Sequence, residues 1–95
     1  MTNYQFTWDE EKNHNNVVEH KISFEEAKTV FNDAFAIVEY DEEHSDDKED
    51  RFHIIGLSDN ANLLLVCHCY RENNIVRIIS AWKATSEETK RYVGG

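Results

Sequence analysis

Apolar and polar positions alternate over Tyr4-Gln-Phe-Thr-Trp8, the two-residue period of a half-buried strand. Asp9 then offers an N-cap, and Glu10 and Glu11 suit the positive end of a helix that should run to about His20. Ser23-Phe-Glu-Glu26 has the form of a capping box, and Phe24, Ala27, Val30 and Phe31 follow at helical spacing, predicting a second, short helix. Phe35–Tyr40 reads as a strand leading into an acidic loop. Three further strands are expected at 51–58, 63–71 and 75–81, joined by Asp59-Asn-Ala-Asn62 and Arg71-Glu-Asn-Asn74, both of tight-turn composition. A second capping box, Thr85-Ser-Glu-Glu88, opens a C-terminal helix that stops at Gly94-Gly95. The predicted fold is α+β: a small antiparallel sheet with two N-terminal helices and one C-terminal helix, the helices covering one face.

The strand pattern carries a register. If Ser58 pairs with Leu63, then Phe52, Ile54 and Gly56 lie opposite Cys69, Cys67 and Leu65. If Tyr70 pairs with Ile75, the cysteines share that face with Val76 and Ile78, and this apolar face belongs under the helices. The other face then gathers Arg51, Tyr70, His53, His68 and Arg77 at one end, with Ile55, Leu57, Leu64, Val66 and Ile79 at the other. A slip of one residue would exchange the two sets, so the apolar pattern is expected to hold the register.

Composition narrows the class. The 95 residues make one domain over 1–95, without proline and with three glycines, so no linker or low-complexity stretch divides the chain. No apolar run approaches the roughly 18–20 residues that span a bilayer. Met1–Trp8 lacks the layout of a signal peptide, so a cytoplasmic location without membrane contact is expected. Cys67 and Cys69 are then read as buried free thiols. The net charge of −9 argues at first against nucleic acid, but its distribution is uneven. Glu39–Asp50 holds eight acidic residues and one lysine, whereas residues 51–95 hold six basic and four acidic ones. The acidic run reads as a solvated loop, with contact to a basic partner as the sharper alternative.

Two arginines, two histidines and a tyrosine on one sheet surface supply what RNA cleavage without a metal requires. Arginine grips phosphate through paired hydrogen bonds, and histidine moves a proton near neutral pH. A base for the ribose 2′-hydroxyl, cations for the phosphorane and an acid for the leaving oxygen are all represented. His68 is the candidate base, with neighbouring arginines expected to lower its pKa. A solvated sheet edge paired with the acidic loop is the competing reading. A zinc site made from His68 and either cysteine is disfavoured, because His68 points to the opposite face.

An ordered set of residues also resembles the BrnT family of type II toxin–antitoxin toxins. It begins with Trp8-Asp9, Lys12, Asn16, His20, Ser23-Phe-Glu-Glu-Ala27 and Val30-Phe31. It continues with Asp41, His44-Ser45, Glu49, Arg51, Ile55-Gly56, Ser58 and Leu63-Leu64. His68-Cys-Tyr-Arg71, Arg77-Ile-Ile-Ser-Ala81, Lys83-Ala-Thr85, Glu88 and Tyr92 complete it. The resemblance implies a RelE-like ribonuclease that cuts RNA and slows translation and growth, without metal or organic cofactor. It implies a BrnA-like antitoxin with a ribbon–helix–helix part that neutralises the toxin and represses their operon, so operator DNA is met only through the antitoxin. A toxin dimer within that complex is a further expectation, with the Phe35–Tyr40 strand edge as a dimer or antitoxin seam. His68, Arg51, Arg71, Arg77 and Lys83 are the catalytic candidates, and Trp82, Tyr70, His53 and Lys12 the substrate-binding ones. The chain departs from the family at Trp82, where arginine is usual, at Lys21, where glycine is usual, and at Ala34, where proline is common. Trp82 supports a second reading, a weakened or inactive toxin-like module that binds its antitoxin and acts in operon autoregulation.

Overall fold

The computed structural model describes residues 3–94. Five strands and three α-helices follow in the order β1 (Gln5–Thr7), α1 (Glu10–His20), α2 (Phe24–Ala27), β2 (Ile37–Tyr40), β3 (Phe52–Leu57), β4 (Leu63–Arg71), β5 (Ile75–Lys83) and α3 (Ser86–Gly94). A 3₁₀ turn, Lys28–Asn32, extends α2. The sheet order is β1-β5-β4-β3-β2, with β1 parallel to β5 and the other pairs antiparallel. Gly95, the last residue of the expected helix stop, lies outside the described residues.

The capping signals act as their chemistry requires. Asp9 accepts from the Glu11 and Lys12 amides, and Ser23 accepts from the Glu26 amide. Thr85 and Glu88 form a reciprocal box, with Thr85 Oγ1 accepting from the Glu88 amide and Glu88 Oε1 from the Thr85 amide. Helix α1 ends on Lys21 in the left-handed conformation, φ 63°, its amide donating to the Val17 carbonyl. Glycine adopts that conformation without strain, whereas lysine does not.

The helices divide between the two faces instead of sharing one. Phe24, Ala27, Val30 and Ile22 pack on Ile54, Leu64, Val66, Val76 and Ile78. On the reverse side Ile55, Leu65 and Cys67 pack with Ile37, Ile79, Trp82 and Tyr92 of α3. The Tyr92 hydroxyl donates to Asp33 Oδ2 at 2.7 Å, and Arg91 pairs with Glu39 at 2.8 Å, which fastens α3 over that side.

Both hairpins differ by one residue from the predicted register, and the consequence is that β4 is turned over. The first ladder ends at Leu57–Leu63 and places Phe52 opposite His68 and His53 opposite Cys67. Ser58 is drawn out of the ladder: its amide donates to the Asn62 carbonyl, and its hydroxyl donates to Glu26 Oε2 at 2.6 Å. The second hairpin pairs Arg71 with Ile75, across Asn73 and Asn74 at φ 63° and 60°. Asparagine tolerates this left-handed backbone, so three residues suffice for the turn. A bulge then places Cys67 opposite Ser80 and His68 opposite Ile78. The apolar pattern could not hold the predicted register, because Leu63 to Cys69 offers apolar residues in both parities.

Asn16 ties the first helix to the sheet. Its buried side-chain amide donates to the Ile22 and Ala81 carbonyls, both at 2.8 Å, and accepts from the Ala81 amide at 3.1 Å. It thereby serves the edge of β5 where short β1 no longer reaches, as a neighbouring peptide would. Asn16→Ala should cost about 2–3 kcal/mol by orphaning these groups. Thermal denaturation should show a fall of roughly 10–20 °C. Lys21→Gly should act in the opposite direction, raising stability by about 1 kcal/mol in urea unfolding, since glycine relieves the left-handed strain.

Candidate active site on the loop-facing side of the sheet

Asp41 leaves the end of β2 and is nearly buried, 6% exposed. Its amide donates to the Arg51 carbonyl at 2.8 Å, closing the base of the acidic loop. Ser45 bridges the same closure, donating through Oγ to the Asp41 carbonyl at 2.6 Å and accepting from the Arg51 amide at 2.8 Å. The loop is therefore pinned at its base, and Glu49 is turned inward from it. Asp41 Oδ1 accepts from the His44 amide at 3.2 Å, and Oδ2 lies 2.9 Å from both His44 Nδ1 and His53 Nε2. Burial opposes ionisation of Asp41, but the hydrogen bonds from the His44 ring and amide and the nearby imidazoles outweigh it, holding the carboxyl below its ordinary range. Beside it is a cavity of about 140 Å³ lined by Asp41, His44, Arg51, Cys67, Ser80 and Trp82.

Arginines continue this surface. Glu49 holds two of them, accepting from Arg51 Nε at 3.0 Å and from Arg71 Nη2 at 3.1 Å. Arg77 lies opposite Cys69 on the same side, with no carboxylate within ion-pair distance among the described residues. Trp82, opposite Leu65, also lies on this side. Its indole donates to Glu88 Oε1 at 3.2 Å, and its ring centre is 6.5 Å from that of His53. Thus Arg51, His53, Arg71, Arg77 and Trp82 share one face.

His68, Tyr70 and Lys83 do not share it. The inverted β4 places His68 under the helices, wholly buried between Phe31 and Phe52. Its Nδ1 bonds the Val66 carbonyl at 3.0 Å, and Nε2 lies 3.1 Å from the Tyr70 hydroxyl. A neutral ring donating through Nδ1 and accepting at Nε2 satisfies both contacts. The pKa of His68 is lowered to about 4, in the expected direction but through burial, not through arginines. Tyr70 packs against Tyr4, Phe52 and His68. Lys83 pairs with Leu64 in the sheet, and its charge acts on Glu26. Lys12 is exposed on the first turn of α1. The expectation that His68 meets Arg51 and Arg77 is therefore corrected: its imidazole is a packed, neutral core group.

Asp41, Glu49 and His44 had no assigned role from the residues, and Cys67 only that of a buried free thiol. The first two were hidden in an acidic run whose members look alike. The spacing Asp41, His44-Ser45, Glu49, Arg51 was the signal that could have separated them. Cys67 became a neighbour of His53 only once the register was known.

Residues 8–88 match the family described as "Ribonuclease toxin, BrnT, of type II toxin-antitoxin system". The chain belongs to the BrnT family. A solved structure of the BrnT ribonuclease toxin from Brucella abortus superimposes with a TM-score of 0.64 at 21% identity, covering 87% of this chain and 99% of that one. At that identity it supports the α+β fold alone. A comparison with curated proteins finds no match. No helix among the described residues of this BrnT-family chain is long and apolar enough to cross a membrane.

The burial of His68 has a measurable sign. Its folded pKa lies below the ordinary 6.5, so the unfolded chain binds a proton first as pH falls. His68 therefore contributes stability that is complete above pH 6.5 and is lost progressively toward pH 4. NMR titration of the folded protein should find one imidazole with a midpoint near pH 4, and His68→Gln should remove that resonance. A midpoint for His68 near 6.5 would contradict its buried placement.

Proposed function

We propose that this BrnT-family protein is an endoribonuclease that cleaves RNA without a metal ion, at the face where Asp41, His44 and the three arginines meet. The observation carrying this reading is the contact between Asp41 Oδ2 and His44 Nδ1. A carboxylate on Nδ1 orients the imidazole and leaves Nε2 available as a base, the logic of aspartate–histidine pairs in nucleophilic catalysis. His44 is largely exposed and can meet a ribose 2′-hydroxyl, which His68 cannot. Arg51, Arg71 and Arg77 would neutralise the phosphorane, and Trp82 would stack on a base beside them. His53 shares the carboxylate oxygen from behind and positions Asp41.

The partner in this reading is a ribbon–helix–helix antitoxin that represses the operon, with operator DNA contacted only through it. Strand β2 is a sheet edge, and Phe35, Val38 and Tyr40 are exposed along it. Such an edge suits addition of a partner strand or a second toxin copy.

One observation favours the weaker alternative, a module that binds antitoxin without cutting RNA. Trp82 stands where the family usually has arginine, and it faces the same side as the other cations. Purified protein incubated with total RNA and EDTA separates the readings. Cleavage should persist in EDTA, fall about 10²-fold or more in His44→Ala, and fall about 10²-fold in Arg77→Ala. Trp82→Arg should raise the rate, whereas His68→Gln should reduce it only as far as it unfolds the protein. No cleavage by the parent or by Trp82→Arg would favour the binding module.

A further inference from the structure

The inverted β4 brings to Asp41 and His53 a thiol, Cys67, that the proposed RNA cleavage does not use. His53 and Cys67 are directly paired across β3 and β4, and Asp41 reaches them from the end of β2. The carboxylate oxygen, imidazole nitrogen and thiol sulfur of Asp41, His53 and Cys67 all lie within 4.8 Å of one another. His44 Nδ1 is 2.9 Å from the same Asp41 oxygen, and His44 and Cys67 line the same small cavity. We propose that Asp41, His53 and Cys67 form a binding site for a divalent cation of the zinc class, with water as the fourth ligand.

The donor set decides the class of ion. Thiolate and imidazole with one carboxylate suit Zn²⁺ or Co²⁺, whereas Mg²⁺ and Ca²⁺ favour all-oxygen shells. In tetrahedral zinc sites, bond lengths of about 2.0–2.3 Å place ligand atoms roughly 3.3–3.8 Å apart. The Asp41–His53 contact of 2.9 Å must widen slightly and the cluster must close around the ion. Adjacent strands β3 and β4 hold His53 and Cys67, and Asp41 directly follows β2 with its amide bonded to the Arg51 carbonyl, so the required shifts are those of side chains. Asp41 and Cys67 are 6% and 9% exposed, which shields a bound ion from bulk water. The His44 amide bonds Asp41 Oδ1 and steadies the carboxylate from outside.

Binding must also balance its protons. The Cys67 thiol, which burial keeps protonated, releases one proton to solvent as its sulfur bonds the ion. In the free protein His53 Nε2 carries the proton shared with the Asp41 carboxylate at 2.9 Å; on binding, the neutral ring takes a proton from solvent at Nδ1 and returns the Nε2 proton to solvent, so Nε2 bonds the ion and the net release stays at one proton. No electron transfer is involved. The site shares Asp41 and His53 with the proposed RNA chemistry, so a bound ion would compete with the Asp41–His44 pair; RNA cleavage is tested in chelator and occupancy of the site with no RNA present, so the two outcomes are read independently.

The full chain, freed of metal under reducing conditions, should be titrated with Co²⁺ as the spectroscopic probe and then with Zn²⁺. One equivalent of Co²⁺ should give tetrahedral d–d bands and a thiolate-to-cobalt charge-transfer band, both removed by one equivalent of Zn²⁺. Cys67→Ser should abolish the charge-transfer band and weaken Zn²⁺ binding by about tenfold or more, and His53→Gln should weaken it similarly. Cys69→Ser should keep the band, which shows that the other thiol is not the ligand. Circular dichroism confirms that each variant is folded, and Cys67→Ser preserves side-chain shape. The proposal is overturned by absence of saturable Co²⁺ binding, or by binding with no charge-transfer band that Cys67→Ser and His53→Gln leave unchanged. That last outcome would place the ion on the exposed acidic residues.

Discussion

The structure depends on keeping β4 dry on both sides. Leu64 and Val66 are fully buried under α2 and its 3₁₀ extension, while Leu65 is equally buried on the reverse side and Cys67 nearly so. At about 25 cal/mol per Å² of apolar surface, each such side chain contributes roughly 1.5–3 kcal/mol, more than any surface ion pair in the molecule. One layer of helices cannot cover both faces. The capping box at Thr85 and Glu88 therefore starts a helix that returns over the second face and places Tyr92 there. The short C-terminal helix is part of the core's solution.

That same constraint selects which polar groups meet. With β4 in its observed orientation, Cys67 and Cys69 face the acidic loop, and His68 is enclosed with Phe31 and Phe52. An imidazole there is tolerable because both nitrogens are partnered, by the Val66 carbonyl and the Tyr70 hydroxyl. Strands β3 and β5 keep the orientation read from their patterns, so Arg51, His53 and Arg77 still share a side. The polar cluster is displaced toward the loop base, where Asp41 collects two histidines.

The legible features were those written in local chemistry. Asp9, Ser23 and Thr85 announce helix starts through hydrogen bonds made within a few residues, so their neighbours suffice to identify them. Strand β4 was legible as a strand for the same reason. Its facing was not, because both parities of Leu63 to Cys69 are apolar and either orientation satisfies burial. The decision rests on Ser58, drawn into the loop by Glu26 at a distance of thirty-two residues, and on two left-handed asparagines. Such choices depend on tertiary partners. Asp41 and Glu49 were obscured in the opposite way, since eight similar acidic residues conceal the one that holds His44 and His53 and the one that holds Arg51 and Arg71.

The inward Glu49 also bears on whether a chain of net charge −9 can hold RNA. Its pairs with Arg51 and Arg71 are partly exposed, the first at 35% and 28% side-chain exposure and the second at 50% and 28%. Exposed ion pairs contribute only about 0–1 kcal/mol each. A phosphate accepting two parallel hydrogen bonds from a guanidinium makes a stronger contact, about 1.5–3 kcal/mol for a hydrogen bond to a charged group. In the proposed reaction a phosphodiester would compete with the exposed Glu49 carboxylate for these arginines. Glu49 keeps the two guanidinium groups close together and oriented before substrate arrives, which reduces the ordering cost of binding. The remaining acidic residues of the loop lower nonspecific attraction for polyanions but do not occupy the arginines. In the proposed reaction the charge balance of the whole chain would thus govern how readily RNA approaches, and the geometry around Glu49 what happens to a phosphate once it arrives.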